Sequence, residues 1–170
     1  FKLPKFAFWT PEEMRAKRYM PEFREIFDCN LGWDITDFGK GDFAREGLFL
    51  FTIRNGVNGS EIYPKPYAEK IMISRSNQLT LTHCHVFKRE DIINRGGGTL
   101  IIHVYNDKDG ELDDTDVLVN ADGRSYYVKA GTGVELRPGE SITLWPHQYH
   151  DFDVLAGTGD VLIGEVSMCN

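Results

Sequence analysis

Hydrophobic and polar residues alternate over short stretches of this chain from residue 48 onward. A period of two places apolar side chains on one face of an extended strand, and most of these stretches are rich in β-branched or aromatic residues. The pattern predicts nine strands, over residues 48–54, 68–74, 78–87, 99–105, 125–130, 133–136, 141–144, 152–155 and 161–166. Turn-forming pairs such as Asn55-Gly56 and Asp122-Gly123 separate them. Regular strands without intervening helices predict an all-β sandwich or barrel.

The first 47 residues follow a different pattern. Thr10 precedes Pro11, and Glu13 stands three residues after Thr10, which is the capping-box signature of a helix start. Because Pro21 lacks a backbone N–H, we expect it to interrupt this helix and a second helical piece to end near Phe27. Residues 28–47 are predicted to be irregular. We therefore expect one domain over residues 1–170, with an N-terminal helical arm over about residues 1–47.

Composition and charge narrow the classes of partner. The chain of 170 residues is 41% hydrophobic and carries a formal net charge of −7, so we expect neither a nucleic-acid nor a membrane partner, which would need a basic surface. No apolar run approaches the ~18 residues of a membrane span, and the first residues lack the apolar segment of a secretory signal. The three cysteines are widely spaced, which predicts no disulfide framework and favours the cytoplasm. A small molecule is the expected ligand.

Three histidines and one glutamate form the strongest chemical pattern. In an extended strand His83 and His85 point to the same side, so their imidazoles converge. Glu90 follows after a stretch where the chain can turn, and we expect His150 to arrive from a distant strand. Neutral imidazoles with a carboxylate suit divalent first-row metals and leave open coordination positions, as catalytic sites require. The alternative is that the histidine pair lies on a solvated face.

Two further histidines have weaker interpretations. His147 lies three residues before His150 and would face the opposite side of a regular strand, so it is either near the pocket or exposed. His103 lies in an apolar strand and is interpreted as a hydrogen-bonded sheet residue, with a position facing the barrel cavity as the alternative.

The spacing of these residues resembles the two-part signature of the cupin superfamily. The first part is His83-x-His85, four residues, Glu90, six residues and a glycine, and the second runs from Gly139 to His150. Three positions depart from the signature: Asn77 replaces a glycine, Trp145 a proline and His147 a glycine. Asparagine tolerates the left-handed conformation of a glycine, whereas a histidine tolerates it less well. The resemblance implies a cupin (jelly-roll) barrel.

A longer stretch resembles one family more closely. The run Lys88-Arg89-Glu90-Asp91-Ile92-Ile93-Asn94-Arg95-Gly96-Gly97-Gly98, with Gly32-Trp33-Asp34-Ile35-Thr36-Asp37-Phe38-Gly39 upstream, is similar to D-lyxose isomerases of the cupin type. This resemblance implies a metal-dependent aldose-ketose isomerase, usually using manganese, that interconverts D-lyxose and D-xylulose and often D-mannose and D-fructose. On that pattern the metal ligands are His83, His85, Glu90 and His150, and the substrate is a monosaccharide.

Lys88 and Glu165 are the candidate catalytic residues. Isomerisation needs a group that moves a proton, and Lys88 lies between the ligands His85 and Glu90, where a nearby divalent cation would favour its neutral form. The alternative is a surface lysine at a strand end. Glu165 is acidic in an otherwise apolar strand, so it is either paired and useful or turned outward to solvent.

Other cupin functions remain alternatives. A phosphosugar isomerase would share the ligands but need a cluster of basic residues, a dioxygenase would hold iron with the same residues, and a non-catalytic sugar-binding cupin would use the metal for stability alone. Exposed sheet edges and the aromatic arm need cover, which favours a homodimer.

Overall fold

The structure of the protein, a computed structural model, describes residues 2–169. Near the N-terminus lie the helices α1 (Pro11–Lys17) and α2 (Arg24–Asp28) and two 3₁₀ turns, Lys5–Phe8 and Pro21–Phe23. The strands of the described residues are β1 (Gly32–Thr36), β2 (Leu48–Arg54), β3 (Tyr67–Ser74), β4 (Glu90–Gly97), β5 (Leu100–Lys108), β6 (Glu111–Asp113), β7 (Val117–Ala121), β8 (Arg124–Val128), β9 (Gly133–Leu136), β10 (Ser141–Leu144), β11 (Gln148–Val154) and β12 (Val161–Met168).

The strands form two antiparallel sheets with the hydrophobic core between them. The larger sheet has the order β1-β2-β3-β12-β4-β10-β7-β8, and in the smaller one β5 pairs with β11, β6 and β9. Along β5 the side chains of Leu100, Ile102 and Val104 are fully buried, and they pack with apolar residues of both sheets. This alternation confirms the all-β prediction and leaves one face of each sheet outside the core.

The helical arm begins as the sequence predicts. Thr10 caps α1: its hydroxyl accepts from the backbone N–H of Glu13 at 3.2 Å, and the Glu13 carboxylate accepts from the backbone N–H of Thr10 at 2.8 Å. The chain leaves the α-helix before Pro21 and resumes in α2. The arm packs on the outer face of the larger sheet, where Phe6 stacks on Phe51 with ring centroids 5.3 Å apart.

The secondary structure predicted from the sequence is wrong in three segments. Residues 28–47 are not wholly irregular, because β1 pairs with β2 inside that interval. Residues 78–87 form no regular strand. The run Arg95-Gly96-Gly97 lies in β4, a strand that the sequence pattern does not predict, and a register shift against β12 accommodates the extra residue. Glycine and asparagine are poor strand formers in isolation, so in β1 and β4 pairing with a neighbouring strand outweighed local preference.

Two positions adopt the left-handed backbone expected from the signature. The φ angle is 68° at Asn77 and 62° at His147, each of which replaces a glycine of the cupin pattern. The turn before β11 therefore keeps its shape at the cost of a strained histidine. Among the described helices none is both long and apolar enough to cross a membrane.

Asn94 links the two sheets. Its side chain is fully buried, and its amide nitrogen donates to the carbonyl oxygens of Gly98 and Leu136, each at 2.8 Å. Its amide oxygen accepts from the backbone N–H of Gly96 at 3.0 Å. Because Leu136 lies in β9, one amide satisfies backbone groups of both sheets.

We expect Asn94→Ala to lower the free energy of unfolding by about 2–4 kcal/mol, because it leaves buried backbone groups without partners. Asn106→Ala is the matched control: the Asn106 amide also makes two hydrogen bonds, to Thr115 and Asp116, but at an exposed position. Urea unfolding should show a loss below about 1 kcal/mol for the control. Equal losses in the two variants would contradict the role given to Asn94.

Candidate metal centre and active site

The three histidines come from two neighbouring segments. His150 lies in β11, whereas His83 and His85 lie on the irregular segment 78–87. The backbones of His83 and His150 exchange two hydrogen bonds of 2.9 and 2.8 Å, and the backbone N–H of His147 donates to the carbonyl oxygen of His85 at 2.8 Å. One nitrogen of each imidazole lies within 4.8 Å of the others. The histidines therefore meet through an irregular segment paired with β11, and not through the regular strand that the sequence predicts.

Backbone carbonyls orient two of the rings. Nδ1 of His83 lies 2.8 Å from the carbonyl oxygen of Leu81, and Nδ1 of His150 lies 3.0 Å from that of Gln148. A carbonyl only accepts, so each Nδ1 carries the proton and each Nε2 offers its lone pair to the site. Burial lowers the pKa of His83, and the charge of His150 lowers it further. Both effects favour the neutral imidazole that a metal requires.

Glu90 completes the cluster from the first residue of β4. Its carboxylate is buried, with Oε1 3.1 Å from Nε2 of His150 and Oε2 3.5 Å from Nε2 of His85. Two ligand atoms about 2.1 Å from one cation lie about 3.0–3.4 Å apart, so the separation from His150 falls in this range and the separation from His85 lies just above it. Burial acts to raise the pKa of Glu90, but its close contacts with His150 and His85 and the charge of Lys88 outweigh it and hold that pKa below its ordinary value.

Two lysines and two carboxylates adjoin this cluster. The ammonium of Lys88 lies 2.6 Å from Oε2 of Glu90 and 3.0 Å from Oε1 of Glu165. The same oxygen of Glu165 accepts from Nζ of Lys70 at 2.9 Å. Glu165 and Lys70 are 4% exposed, so the outward-facing alternative for Glu165 is wrong.

The two lysines differ in their electrostatics. Burial acts to lower the pKa of Lys88, but the charges of Glu165 and Glu90 outweigh it and raise that pKa above its ordinary value. Burial lowers the pKa of Lys70, and the neighbouring charge of Lys88 adds to this effect against the attraction of Glu165. The carboxylate neighbours of Lys88 therefore favour its ammonium form.

One cavity of about 140 Å³ joins all six candidate residues. Its polar lining comprises Lys70, Thr80, His83, His85, Lys88, Glu90, His150 and Glu165, and apolar side chains that include Leu50, Met72 and Phe152 form the rest. A second cavity of about 560 Å³ shares Lys70, His85 and Lys88 with it and also contacts the exposed ring of Phe87. The metal-ligand cluster therefore adjoins a space large enough for a small polar ligand.

The other singled-out residues lie elsewhere. His147 is 54% exposed, and its Nδ1 lies 2.9 Å from a carboxylate oxygen of Asp107. His103 is hydrogen-bonded within the sheet, on the face opposite Ile102, as its first interpretation holds. Trp145 lies under the guanidinium of Arg89, 3.9 Å from the ring centroid.

Lys70 is a cavity residue that the sequence analysis did not connect with the candidate catalytic residues. In the structure Lys70 of β3 lies directly opposite Glu165 of β12 in the strand register, which explains their contact. The signal that could have found this pair is the one already used for Glu165. A charged residue within an apolar strand needs a partner of opposite charge, and Lys70 and Glu165 are partners of each other.

Sequence comparison identifies the family and related proteins. The family model described as D-lyxose isomerase matches residues 1–170. A D-lyxose/D-mannose isomerase of Serratia proteamaculans is 51% identical over 170 residues, covering 99% of this chain and 74% of the relative. A protein of the same name from Escherichia coli O157:H7 is 48% identical over 169 residues, with the same coverage.

Solved structures agree on the fold. An Acinetobacter sp. DL28 L-ribose isomerase in complex with L-ribose superposes with a TM-score of 0.58 at 18% identity, covering 92% of this chain and 76% of that one. A Cellulomonas parahominis L-ribose isomerase gives a TM-score of 0.56 at 18% identity over 92% and 78% of the two chains. These likenesses confirm the predicted cupin-type fold. With a family model that matches its whole length and relatives near half identity, the chain belongs to the D-lyxose isomerase family.

Proposed function

We propose that this chain is a metal-dependent aldose-ketose isomerase that interconverts D-lyxose and D-xylulose, with D-mannose and D-fructose as a second pair. The observation that carries the proposal is the single cavity in which a histidine-glutamate cluster meets a buried lysine-glutamate pair. Ligands alone would suit a structural metal, but a proton-transferring pair beside them suits catalysis. The names of the relatives, D-lyxose/D-mannose isomerase, support the choice of sugars.

His83, His85, Glu90 and His150 would hold the metal. Three imidazole nitrogens and a carboxylate leave coordination positions for sugar oxygens, and this donor set accepts manganese, which we propose as the metal. Bound there, a divalent cation supplies Lewis-acid polarisation of the sugar carbonyl and the adjacent hydroxyl. The absence of a thiolate among these residues argues against a soft metal such as Cu(I).

Glu165 and Lys88 would move the protons. Isomerisation takes a proton from C2 of the aldose and returns it to C1, while the hydroxyl proton passes from one oxygen to the other. Glu165 accepts hydrogen bonds from Lys70 and Lys88, which position its carboxylate in the cavity as the candidate base. Lys88 carries the ammonium that can donate a hydrogen bond to the oxygen on which negative charge develops.

The lysine contacts favour an unphosphorylated sugar. The ammonium groups of Lys70 and Lys88 both face Glu165 and lie in the cavity wall. A phosphate at this place would have to compete with a buried carboxylate for both cations. A phosphosugar isomerase therefore fits the site less well than an isomerase of neutral sugars.

Three wider features belong to the same proposal. We infer a single domain over residues 1–170 with a helical arm at its N-terminus, because both sheets share one core. The exposed edge strand β1, with the half-exposed Trp33 and Ile35, supports a homodimer. Cys29, Cys84 and Cys169 are all free thiols, which supports a cytoplasmic location.

Metal removal and restoration tests the activity directly. We expect chelator-treated protein to form no D-xylulose from D-lyxose, and added manganese to restore turnover, because the Lewis acid is required for the carbonyl transfer. The measurement is a coupled assay of D-xylulose with the metal content determined in parallel. Turnover by protein that contains no metal would contradict the proposed site, and a metal-loaded protein that forms no ketose from either aldose would contradict the proposed reaction.

His85→Ala should abolish metal binding and isomerisation together. The imidazole of His85 points into the cavity beside Glu90, so its loss removes a ligand. His147→Ala is the matched control. The backbone N–H of His147 donates to the carbonyl oxygen of His85, but the ring of His147 is exposed and lies outside the cavity. Isothermal titration with Mn²⁺ and the D-xylulose assay should give wild-type values for the control. Metal binding by His85→Ala at wild-type affinity would remove His85 from the ligand set.

Lys88→Met should lower kcat by about 10²–10⁴-fold, the range expected for a lost acid or base, while metal binding is retained. Methionine keeps the length of the side chain without the charge that Glu165 and Glu90 face. Lys129→Met, which removes an exposed ion pair with Asp116, serves as the control. If Lys88→Met binds metal and turns over at the wild-type rate, then Lys88 has no part in proton transfer.

A further inference from the structure

The irregular segment that carries His83 has few backbone restraints of its own. Its backbone N–H at Thr80 donates to the carbonyl oxygen of Phe152 at 3.1 Å, and His83 pairs with His150. Thr80 and His83 are three positions apart, whereas their partners Phe152 and His150 are two positions apart. The chain between Thr80 and His83 therefore holds one extra residue and forms a bulge. A bulge leaves its residues outside the ladder, and side-chain contacts must then fix their orientation.

Thr82 supplies such a contact on the outer face of the smaller sheet. Its hydroxyl donates to Oδ2 of Asp151 at 2.7 Å. The other carboxylate oxygen, Oδ1, accepts from Nδ1 of His103 at 2.8 Å. Asp151 lies opposite His103 in the β11–β5 register, and both face away from the core. Asp151 thus bridges a residue of the bulge and a residue of a central strand.

The peptide between Leu81 and Thr82 connects this bridge to the metal centre. Its carbonyl oxygen belongs to Leu81 and accepts from Nδ1 of His83 at 2.8 Å, which sets the ring orientation. Holding the side chain of Thr82 restricts rotation of that peptide, and hence the position of the carbonyl. Space for the anchoring ring is provided by Gly133, where a Cβ would lie 3.3 Å from Nε2 of His103.

We propose that His103, Asp151 and Thr82 form a positioning relay that fixes the ring of His83 through the Leu81 carbonyl and thereby sets the affinity of the centre for its metal. This inference rests on the proposed metal site. None of the three side chains contacts the metal position or the sugar, so they are positioning residues. Hydrogen-bond partners that orient a ligating histidine commonly change metal affinity by about 10–100-fold.

Thr82→Val tests the relay, because it keeps the shape of the side chain and removes the donor. We expect Mn²⁺ binding, measured by electron paramagnetic resonance of the free ion, to weaken by about tenfold. Saturating Mn²⁺ should restore most of kcat, since the cavity residues are unchanged. Thr82→Ser restores a hydroxyl and should return the affinity to within about threefold of wild type.

Thr115→Val is the matched control for a lost threonine-aspartate hydrogen bond. Thr115 donates to Asp113 in the loop after β6, and its removal should leave the Mn²⁺ affinity unchanged. Thermal unfolding of the metal-free proteins separates positioning from folding, with midpoints expected within about 2–4 °C of each other. Should Thr82→Val be poorly folded, His103→Gln decides instead, with weaker Mn²⁺ binding expected. Where both variants fold, combining the two substitutions should cause no further loss of Mn²⁺ affinity.

The outcomes separate this inference from the proposed function. Wild-type protein that fails to bind Mn²⁺ overturns the metal site and the relay with it. Wild-type protein that binds Mn²⁺ and isomerises D-lyxose, together with folded Thr82→Val or His103→Gln that binds Mn²⁺ equally well, overturns the relay alone. Weakened binding in both variants, with rescue by Thr82→Ser, supports it.

Discussion

Charge inside this barrel is stable only where opposite charges meet. Four ionisable side chains lie in contact: Lys70 of β3, Glu165 of β12 and Glu90 at the start of β4 are buried, and Lys88, just before β4, is partly buried. Moving any one of them alone from water into the core would cost several kcal/mol, so each depends on the others. The same pairing prepares the site chemically, because the two carboxylates raise the pKa of Lys88 above its ordinary value. Stability and reactivity therefore depend on one set of contacts.

The histidines are brought together because an irregular segment pairs with β11, and not because His83 and His85 share a regular strand. The segment with His83 and His85 is irregular by itself, and it becomes ordered where it meets β11. This pairing places His83 directly opposite His150, which brings ligands 67 positions apart in the sequence to one point. The turn that precedes His150 needs a left-handed residue, and His147 adopts that conformation although glycine would do so without strain.

The sequence predicted the fold class, and its six candidate site residues line one cavity, because alternation and residue chemistry are local signals. It did not predict β1 or β4, since Gly32, Arg95 and Gly96 carry little strand preference and obtain it from their neighbours. It also missed the pairing of Lys70 with Glu165, which depends on which strands are adjacent in space. Hydrophobic periodicity does not say which strands pair or in which register. The contacts that raise the pKa of Lys88 depend on that pairing.

Alternation along the strands also explains how the ligands are supported. A ligand that points into the barrel has a chain neighbour that points out, so Asp151 follows His150 and Asp91 follows Glu90. Each outward carboxylate accepts a threonine hydroxyl, Asp151 from Thr82 and Asp91 from Thr143. Each proposed ligand and the outward carboxylate that follows it are thus one residue apart, on opposite faces of the same strand. The proposed metal centre would thus be held from outside the barrel, where the supporting side chains take no space from the substrate.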